Sequence, residues 1–212
     1  MSLDQRGMRL ALTALMWVVV TVVYLAAAAV AADLHASIPP IPRTTLDAAI
    51  PFLPWTIIPY ATLGLLTLAP GWAADALAFR RLLVASALAL ALAAVCFIAF
   101  PQAIARPVPA LAGSWAAVFA TLQAIDPARN TCPSLHVAFA VLVPLCLPRW
   151  WTWVWGVAVA ASALTTGQHA LIDAGGGIVL ALAVWWASGA VTRGRLPAGA
   201  DPNPDRGQAP GA

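Results

Sequence analysis

The chain has 212 residues, 62% hydrophobic and 9% charged, with a mean hydropathy of +0.85 and a formal net charge of +3. A soluble domain carries roughly 25% charged residues, so the composition excludes a water-soluble enzyme and a disordered chain, and the scattered arginines exclude a nucleic-acid binder. The chain contains no Lys and no Glu, which removes Schiff-base chemistry, a Walker lysine and paired-glutamate sites and leaves a helical integral membrane protein.

The first apolar run covers residues 8–32. It exceeds the roughly 7–15 residues of a signal-peptide core, so it reads as a span; cleavage after the small-residue stretch AAAAVAAD is the alternative. Residues 33–53, rich in Pro and polar side chains, read as an extracytoplasmic loop. A short second run at 54–68 contains Pro59 and is broken by Pro70 and Gly71. Arg80 and Arg81 precede a third run at 82–100. Residues 101–133 form a long connection with an amphipathic stretch at 115–122. The fourth run starts at Pro133 and ends before Pro148, the fifth covers 150–164 and the sixth 171–191. The predicted fold is all-α: a bundle of six transmembrane helices over residues 1–191, then a disordered cytoplasmic tail at 192–212 rich in Arg, Pro, Gly and Asp.

Six spans place both termini on one side. Arg6, Arg9, Arg80, Arg81, Arg149, Arg193 and Arg195 fall on that side, against Arg43, Arg106 and Arg129 on the other. The positive-inside rule makes the first side cytoplasmic, and the tryptophans near it, among them Trp72, Trp150, Trp151, Trp185 and Trp186, form an aromatic belt. Cys96 and Cys146 lie in apolar runs, Cys132 has no evident partner, and neither a disulfide framework nor zinc-ligand spacing is present. His35 reads as part of a loop.

The remaining polar residues converge. Arg106, Asn130, Ser134, His136, His169 and Asp173 all land at the outer ends of the predicted helices, where ionisable groups in a membrane chain default to function. In NTCPSLH, residues 130–136, Pro133 suits a first helical turn and Asn130 or Thr131 suits its cap. The unpaired first-turn N–H groups near Ser134 make an anion site beside His136; a plainly capped helix with an interfacial histidine is the other reading. In QHALID, residues 168–173, His169 and Asp173 share a face if the sixth helix starts near Thr166. The carboxylate then fixes the imidazole tautomer and leaves the other nitrogen as nucleophile or base; a pair that only ties helix ends is the alternative. Gly175, Gly176 and Gly177 read as a site of close helix packing. Arg106 can hold a phosphate in a bidentate grip, or snorkel to solvent.

Together these motifs resemble the type 2 phosphatidic acid phosphatase superfamily, whose three motifs are K-x6-R-P, P-S-x-H and S-R-x5-H-x3-D. Arg106-Pro107 matches the end of the first, Pro133-Ser134-Leu135-His136 the second, and Ser162, His169 and Asp173 the third. Gly177 matches a glycine often found four residues after the aspartate. The resemblance covers roughly residues 50–182, including IPFLPWTIIPY. The first-motif lysine and the third-motif arginine fall on Ala99 and Ala163, so two phosphate-binding cations are missing. P-S-L-H and the IPFLPW stretch resemble the branch that contains inositol-phosphoceramide synthases and related phosphotransferases, which also lacks the third-motif arginine.

The resemblance implies a six-helix bundle with its active site at the outer face, in a plasma (inner) membrane. It implies cleavage of a lipid-linked phosphate ester through phosphohistidine at His169, oriented by Asp173, with His136 protonating the leaving oxygen and then activating water or a polyol or lipid alcohol. Arg106 and Ser134 would bind the phosphoryl oxygens, and Asn130 and Gln168 beside the motifs complete the candidate phosphate-binding set. No metal or cofactor is implied. The competing expectations are an inactive relative acting as a lipid-binding or scaffold protein, a transporter or channel, and a Ser134-based hydrolase.

Overall fold

A computed structural model describes residues 3–106, 110–126 and 129–193. Pro107 of the first motif lies outside them, as does the expected tail beyond Arg193. Nine α-helices are present among the described residues: α1 (Leu3–Leu34), α2 (Thr45–Ala49), α3 (Ile57–Ala61), α4 (Leu63–Ala73), α5 (Ala76–Ala99), α6 (Ser114–Ile125), α7 (Leu135–Cys146), α8 (Trp150–Thr165) and α9 (Leu171–Arg193). Among the described residues the only β-type pairings are two isolated bridges between loops.

Among the described residues, three stretches are long and apolar enough to cross a membrane: Asp4–Leu34, Ala76–Ala99 and Leu171–Thr192. The other three predicted runs form shorter helices. α7 has 12 residues, about 18 Å at 1.5 Å per residue, well short of a ~30 Å hydrocarbon core. It is buried almost all round, from Leu135 through Phe139 and Val143 to Cys146, as an apolar helix at the centre of a bundle must be. α4, α5, α8 and α9 pack around it, and α1 closes against α4 and α5.

Between helices in lipid, close approach matters more than apolar burial. α5 turns Ala85, Ala89 and Ala93, spaced four apart and fully buried, into this core. Its other face leaves Leu92 and Val95 exposed, and α1 leaves Val18 and Val22 exposed.

The predicted second run is not one helix. A 3-10 turn at Pro54–Thr56 leads into α3, and the chain bends at Thr62 before α4. The Thr62 hydroxyl donates to the Pro59 carbonyl at 2.7 Å and accepts the Trp155 indole N–H at 2.8 Å. Such side-chain competition bends helices. Conversely, Pro70 and Gly71 do not break α4, which continues to Ala73. Proline removes only one ladder bond there, and Gly71 packs against Arg9, Leu10 and Thr13 of α1. The third run likewise starts early, at Ala76, because Asp75 caps it through the Ala78 N–H at 2.7 Å.

The bundle has two chemically distinct ends. At one, Arg6 lies over Trp72, Arg9 over Phe79, and Arg81 over Trp185 at 3.5 Å from the ring centre. This is the arginine and tryptophan clustering predicted from the sequence. The opposite end gathers the C-terminal end of α5, the N-terminal ends of α7 and α9, and the loops. Ile41 N–H donates to Ala103 at 2.7 Å, and Thr131 donates to the Gln102 carbonyl at 3.1 Å. Pro39 and Ile41 are thereby tied to Ala103, and Gln102 in turn to Thr131, over that end.

Asp47 joins this loop layer to the helix that follows the candidate histidine. It forms a capping box with Thr44 on α2, and its second oxygen accepts the Leu171 N–H at the start of α9 at 2.7 Å. Burial pushes this carboxyl up, but the Thr44 and Leu171 hydrogen bonds and the Arg43 charge outweigh it and hold the group below its ordinary value. Asp47→Ala is expected to cost about 1–2 kcal/mol, as loss of a cap does. A depressed native pKa gives stabilisation that is present above the unfolded carboxylate value near 4 and lost as pH falls through the native value. Unfolding midpoints of wild type and variant should therefore differ at neutral pH and converge in strong acid; a gap that persists at about pH 2 would contradict this assignment.

Candidate active site

The chain between α8 and α9 is built to present His169. Thr166 ends α8 with both its N–H and its hydroxyl on the Ser162 carbonyl. Gly167 then takes φ +68, a left-handed conformation natural to glycine. This turn brings His169 N–H back to the Ala163 carbonyl at 2.9 Å. α9 starts at Leu171, not near Thr166 as predicted, so His169 precedes the helix and only Asp173 lies on it. The Gly167 turn and the Asp47 cap account for the later start. The predicted pair forms nonetheless: His169 Nδ1 is 2.9 Å from Asp173 Oδ2, with side chains 8% and 0% exposed. The other Asp173 oxygen accepts the Ala174 N–H at 3.1 Å. Held this way, the carboxylate accepts a hydrogen bond from Nδ1–H, which leaves the Nε2 lone pair free.

His136 faces it from the first turn of α7. The cap of this helix is Ser134, whose Oγ accepts the Val137 N–H at 3.3 Å; Asn130, Thr131 and Pro133 lie before it. The expectation that Asn130 or Thr131 caps the helix, with Pro133 in its first turn, is corrected by this later start. Ser134 N–H donates to the Asp173 carbonyl at 3.0 Å, so the two motifs are joined through the backbone. Their helices touch at Gly177, where a Cβ would collide with the Ser134 carbonyl oxygen and lie 3.1 Å from Val137 Cβ. Gly176 sits against Cys132 and Pro133, whereas Gly175 has open space. The packing role predicted for the three glycines therefore belongs to the last two.

The imidazoles of His136 and His169 lie 6.2 Å apart, centre to centre. Tyr60 of α3 stacks on His136 at 4.1 Å and 8°. With the rings parallel, the 3.5 Å approach of the Tyr60 hydroxyl to His136 Nδ1 is an edge contact rather than a well-aligned hydrogen bond. Both histidines line a cavity of about 400 Å³. Its polar wall is Thr21, Tyr24, Tyr60, Asp126 and Asn130 beside the histidines; the rest is apolar, with Trp17, Val20, Leu25, Leu63 and Phe139 among it.

The expected phosphate ligands are distributed less simply. Arg106 is committed to Asp126, donating to its carbonyl at 2.9 Å and its carboxylate at 3.0 Å, with Nε buried and unpaired. Asn130 lines the cavity, but its Nδ2 donates to the Tyr24 carbonyl at 2.7 Å, and Oδ1 is buried without a partner. The atom it has to spare is an acceptor, which does not suit a phosphate oxygen. Ser134 is fully buried as a helix cap. Gln168 is fully buried, rests its Nε2 on the Thr166 carbonyl at 3.4 Å, and does not line the cavity. The structure thus unites the three catalytic candidates and separates Gln168 from them. Ala163, in the place of the family arginine, is fully buried in a small apolar cluster, and no large cation fits there without repacking it.

Tyr24 and Asp126 are residues of this cavity absent from the sequence reading, and Tyr60 entered it only as the end of the IPFLPWTIIPY stretch. Asp126 carried the one usable signal, a lone acid in an outer segment whose other charges are Arg106 and Arg129. Among the described residues, no group of three or more His, Cys, Asp or Glu converges to hold a metal. No protein-family model, curated protein or solved structure matches the chain.

Proposed function

We propose that this chain is a multi-pass membrane enzyme that cleaves a lipid-linked phosphate ester through a phosphohistidine. The supporting observation is the opposition of a carboxylate-locked His169 and a second histidine, 6.2 Å apart, across one largely apolar cavity. That spacing leaves room for one tetrahedral phosphoryl group between a nucleophile and an acid, each within about 3 Å of its target atom. His169 Nε2 attacks phosphorus, the bond to the lipid oxygen breaks, and His136 supplies that oxygen with its proton. In the second half, water or an alcohol gives its proton to His136 and its oxygen to phosphorus, and the N–P bond breaks. The first-turn N–H groups of Leu135 and His136, unpaired within α7, are on residues that line the cavity and can donate to the developing charge. The apolar part of the cavity takes the hydrocarbon.

The Arg106–Asp126 pair favours a second reading, an inactive lipid-binding relative, because it leaves the site without an uncompensated cation. Release of labelled phosphate from lipid phosphates by purified protein separates the two. On the enzymatic reading, turnover persists in EDTA and is blocked by vanadate, a mimic of the five-coordinate transition state. Loss of activity in EDTA that Mg²⁺ restores would replace the histidine mechanism with a metal-dependent one.

We place six passes in the membrane, three by the long helices and three by the shorter α3–α4, α7 and α8, whose ends lie inside the bundle rather than in lipid, with the site end outward and the arginine end in the cytoplasm, in the plasma (inner) membrane. A single cysteine introduced at exposed Gln123 should react with impermeant maleimide from outside intact cells, and a reporter fused at the C-terminus should stay inside. The opposite labelling pattern would invert the orientation.

A further inference from the structure

The two histidines are held in different ways. His169 is gripped by a carboxylate. Among the described residues no carboxylate is ion-paired with the His136 ring: Asp173 is engaged by His169, and Asp126 by Arg106. What lies against His136 instead is Tyr60, ring on ring, 4.1 Å between centres and 8° from parallel. Two aromatic side chains usually sit about 4.5–7 Å apart, offset or edge-on. A parallel pair this close suits a cation over a π-face, an attraction that acts within about 6 Å. The local chain fixes Tyr60 there. The segment leading into α3 is fastened to the C-terminal end of α8: Leu53 N–H donates to the Thr165 carbonyl at 2.8 Å, and the Thr56 and Thr165 hydroxyls are 2.8 Å apart. The same end of α8 leads into the Gly167 turn that presents His169. Tyr60 itself is 4% exposed, packed with Ile57, Phe119, Val137 and Ala163. Its ring cannot leave the face of His136 without opening that cluster.

An imidazolium in a largely apolar cavity is costly unless something compensates its charge. The face of Tyr60 is the compensation at hand. We propose that Tyr60 is a positioning residue for His136: its π-face holds the imidazole in register with the leaving oxygen and stabilises the protonated ring. The assignment rests on the phosphoryl-transfer reading of the site. Tyr60 exchanges no proton. The proton that reaches the leaving oxygen is the one carried by His136, which regains one from water or an alcohol in the second half-reaction. The hydroxyl of Tyr60, 3.5 Å from Nδ1 and poorly aligned, is dispensable on this assignment, because the ring face is the working part.

The test uses the full chain in nanodiscs, with intact folding of each variant checked by thermal unfolding. Two phosphate monoesters bearing the same hydrocarbon chain are compared through kcat/KM, which reports transition-state stabilisation in the first half-reaction. One releases an alkanol, which needs a proton to depart; the other releases a nitrophenolate, which does not. Loss of support for the acid is therefore visible with the alkyl ester and silent with the nitrophenyl ester. Tyr60→Leu and Tyr60→Met both remove the π-face. Each should lower kcat/KM on the alkyl ester about tenfold, the worth of one desolvated cation–π contact, and leave the nitrophenyl ester near wild type. Tyr60→Phe keeps the face and should retain activity on both. Phe119→Leu removes bulk from the same apolar cluster without a ring stacked on His136, and should leave the ratio of the two esters unchanged. Wild-type kinetics or parallel losses on both esters in the Leu and Met variants overturn the assignment while the enzymatic reading stands. So does a Tyr60→Phe variant as impaired as Tyr60→Leu, or an equal change of ratio in Phe119→Leu. Wild-type protein that turns over neither ester removes the enzymatic reading, and this assignment with it.

Discussion

His169→Ala is expected to abolish turnover, by at least a thousandfold, because in the proposed mechanism it deletes the nucleophile rather than a group that assists it. The environment of the ring makes the expectation specific. Nδ1 is occupied by Asp173 at 2.9 Å, so only Nε2 can attack, and Ala offers nothing in its place. His136→Ala removes the proton carrier and should cost about 10²–10⁴-fold. Asp173→Asn is the informative intermediate. Both Asp173 oxygens accept, one from His169 and one from the Ala174 N–H. An amide must put its NH2 against one of them, which either expels the Ala174 contact or forces the wrong imidazole tautomer; a loss of about 10²–10⁴-fold follows. Labelled lipid phosphate should leave acid-labile label on wild-type protein and none on His169→Ala. Wild-type turnover by His169→Ala would end the phosphohistidine mechanism.

The local sequence carried the candidate trio of His136, His169 and Asp173 because each member sits in a short motif whose spacing survives folding. It carried the pairing of His169 with Asp173 for a partly mistaken reason: a helix start near Thr166 was assumed, whereas the Gly167 turn and the Asp47 cap create the same proximity from a loop. Gly167 marked a break, but nothing adjacent in sequence points to Asp47, which lies 124 positions from Leu171. The arginine and tryptophan asymmetry indicated which helix ends come together, because charge and aromatic preference act residue by residue. Chain breaks were harder to read. Pro59 with Thr62 bends the second run, yet Pro70 does not, and the difference lies in the Trp155 contact to Thr62, a tertiary event. The fate of Arg106 was equally invisible: whether a guanidinium is free or neutralised depends on Asp126, twenty residues away, being folded onto it.

Gly177→Ala should be the most damaging substitution outside the reacting groups. The missing Cβ is what lets α9 lie against the first turn of α7: an added carbon would overlap the Ser134 carbonyl oxygen and approach the Ala138 nitrogen to 3.2 Å. These neighbours are backbone of a buried helix and cannot swing aside, so the helices must separate. Overpacking of this kind costs about 1–3 kcal/mol. The chemical cost is greater, because α7 carries His136 and α9 carries Asp173, and Ser134 N–H bonds the Asp173 carbonyl at this same contact. A misplacement of about 1 Å between reacting groups can lower the rate about a hundredfold. Gly175→Ala, on the same helix but with no neighbour within 4 Å of the added carbon, is the matched control. It should leave activity in place and stabilise the helix by roughly 0.5–1 kcal/mol. Purified variants compared for unfolding midpoint and for phosphate release would decide the matter. Equal behaviour of the two substitutions would show that the α7–α9 approach does not set the distance between His136 and the His169–Asp173 pair.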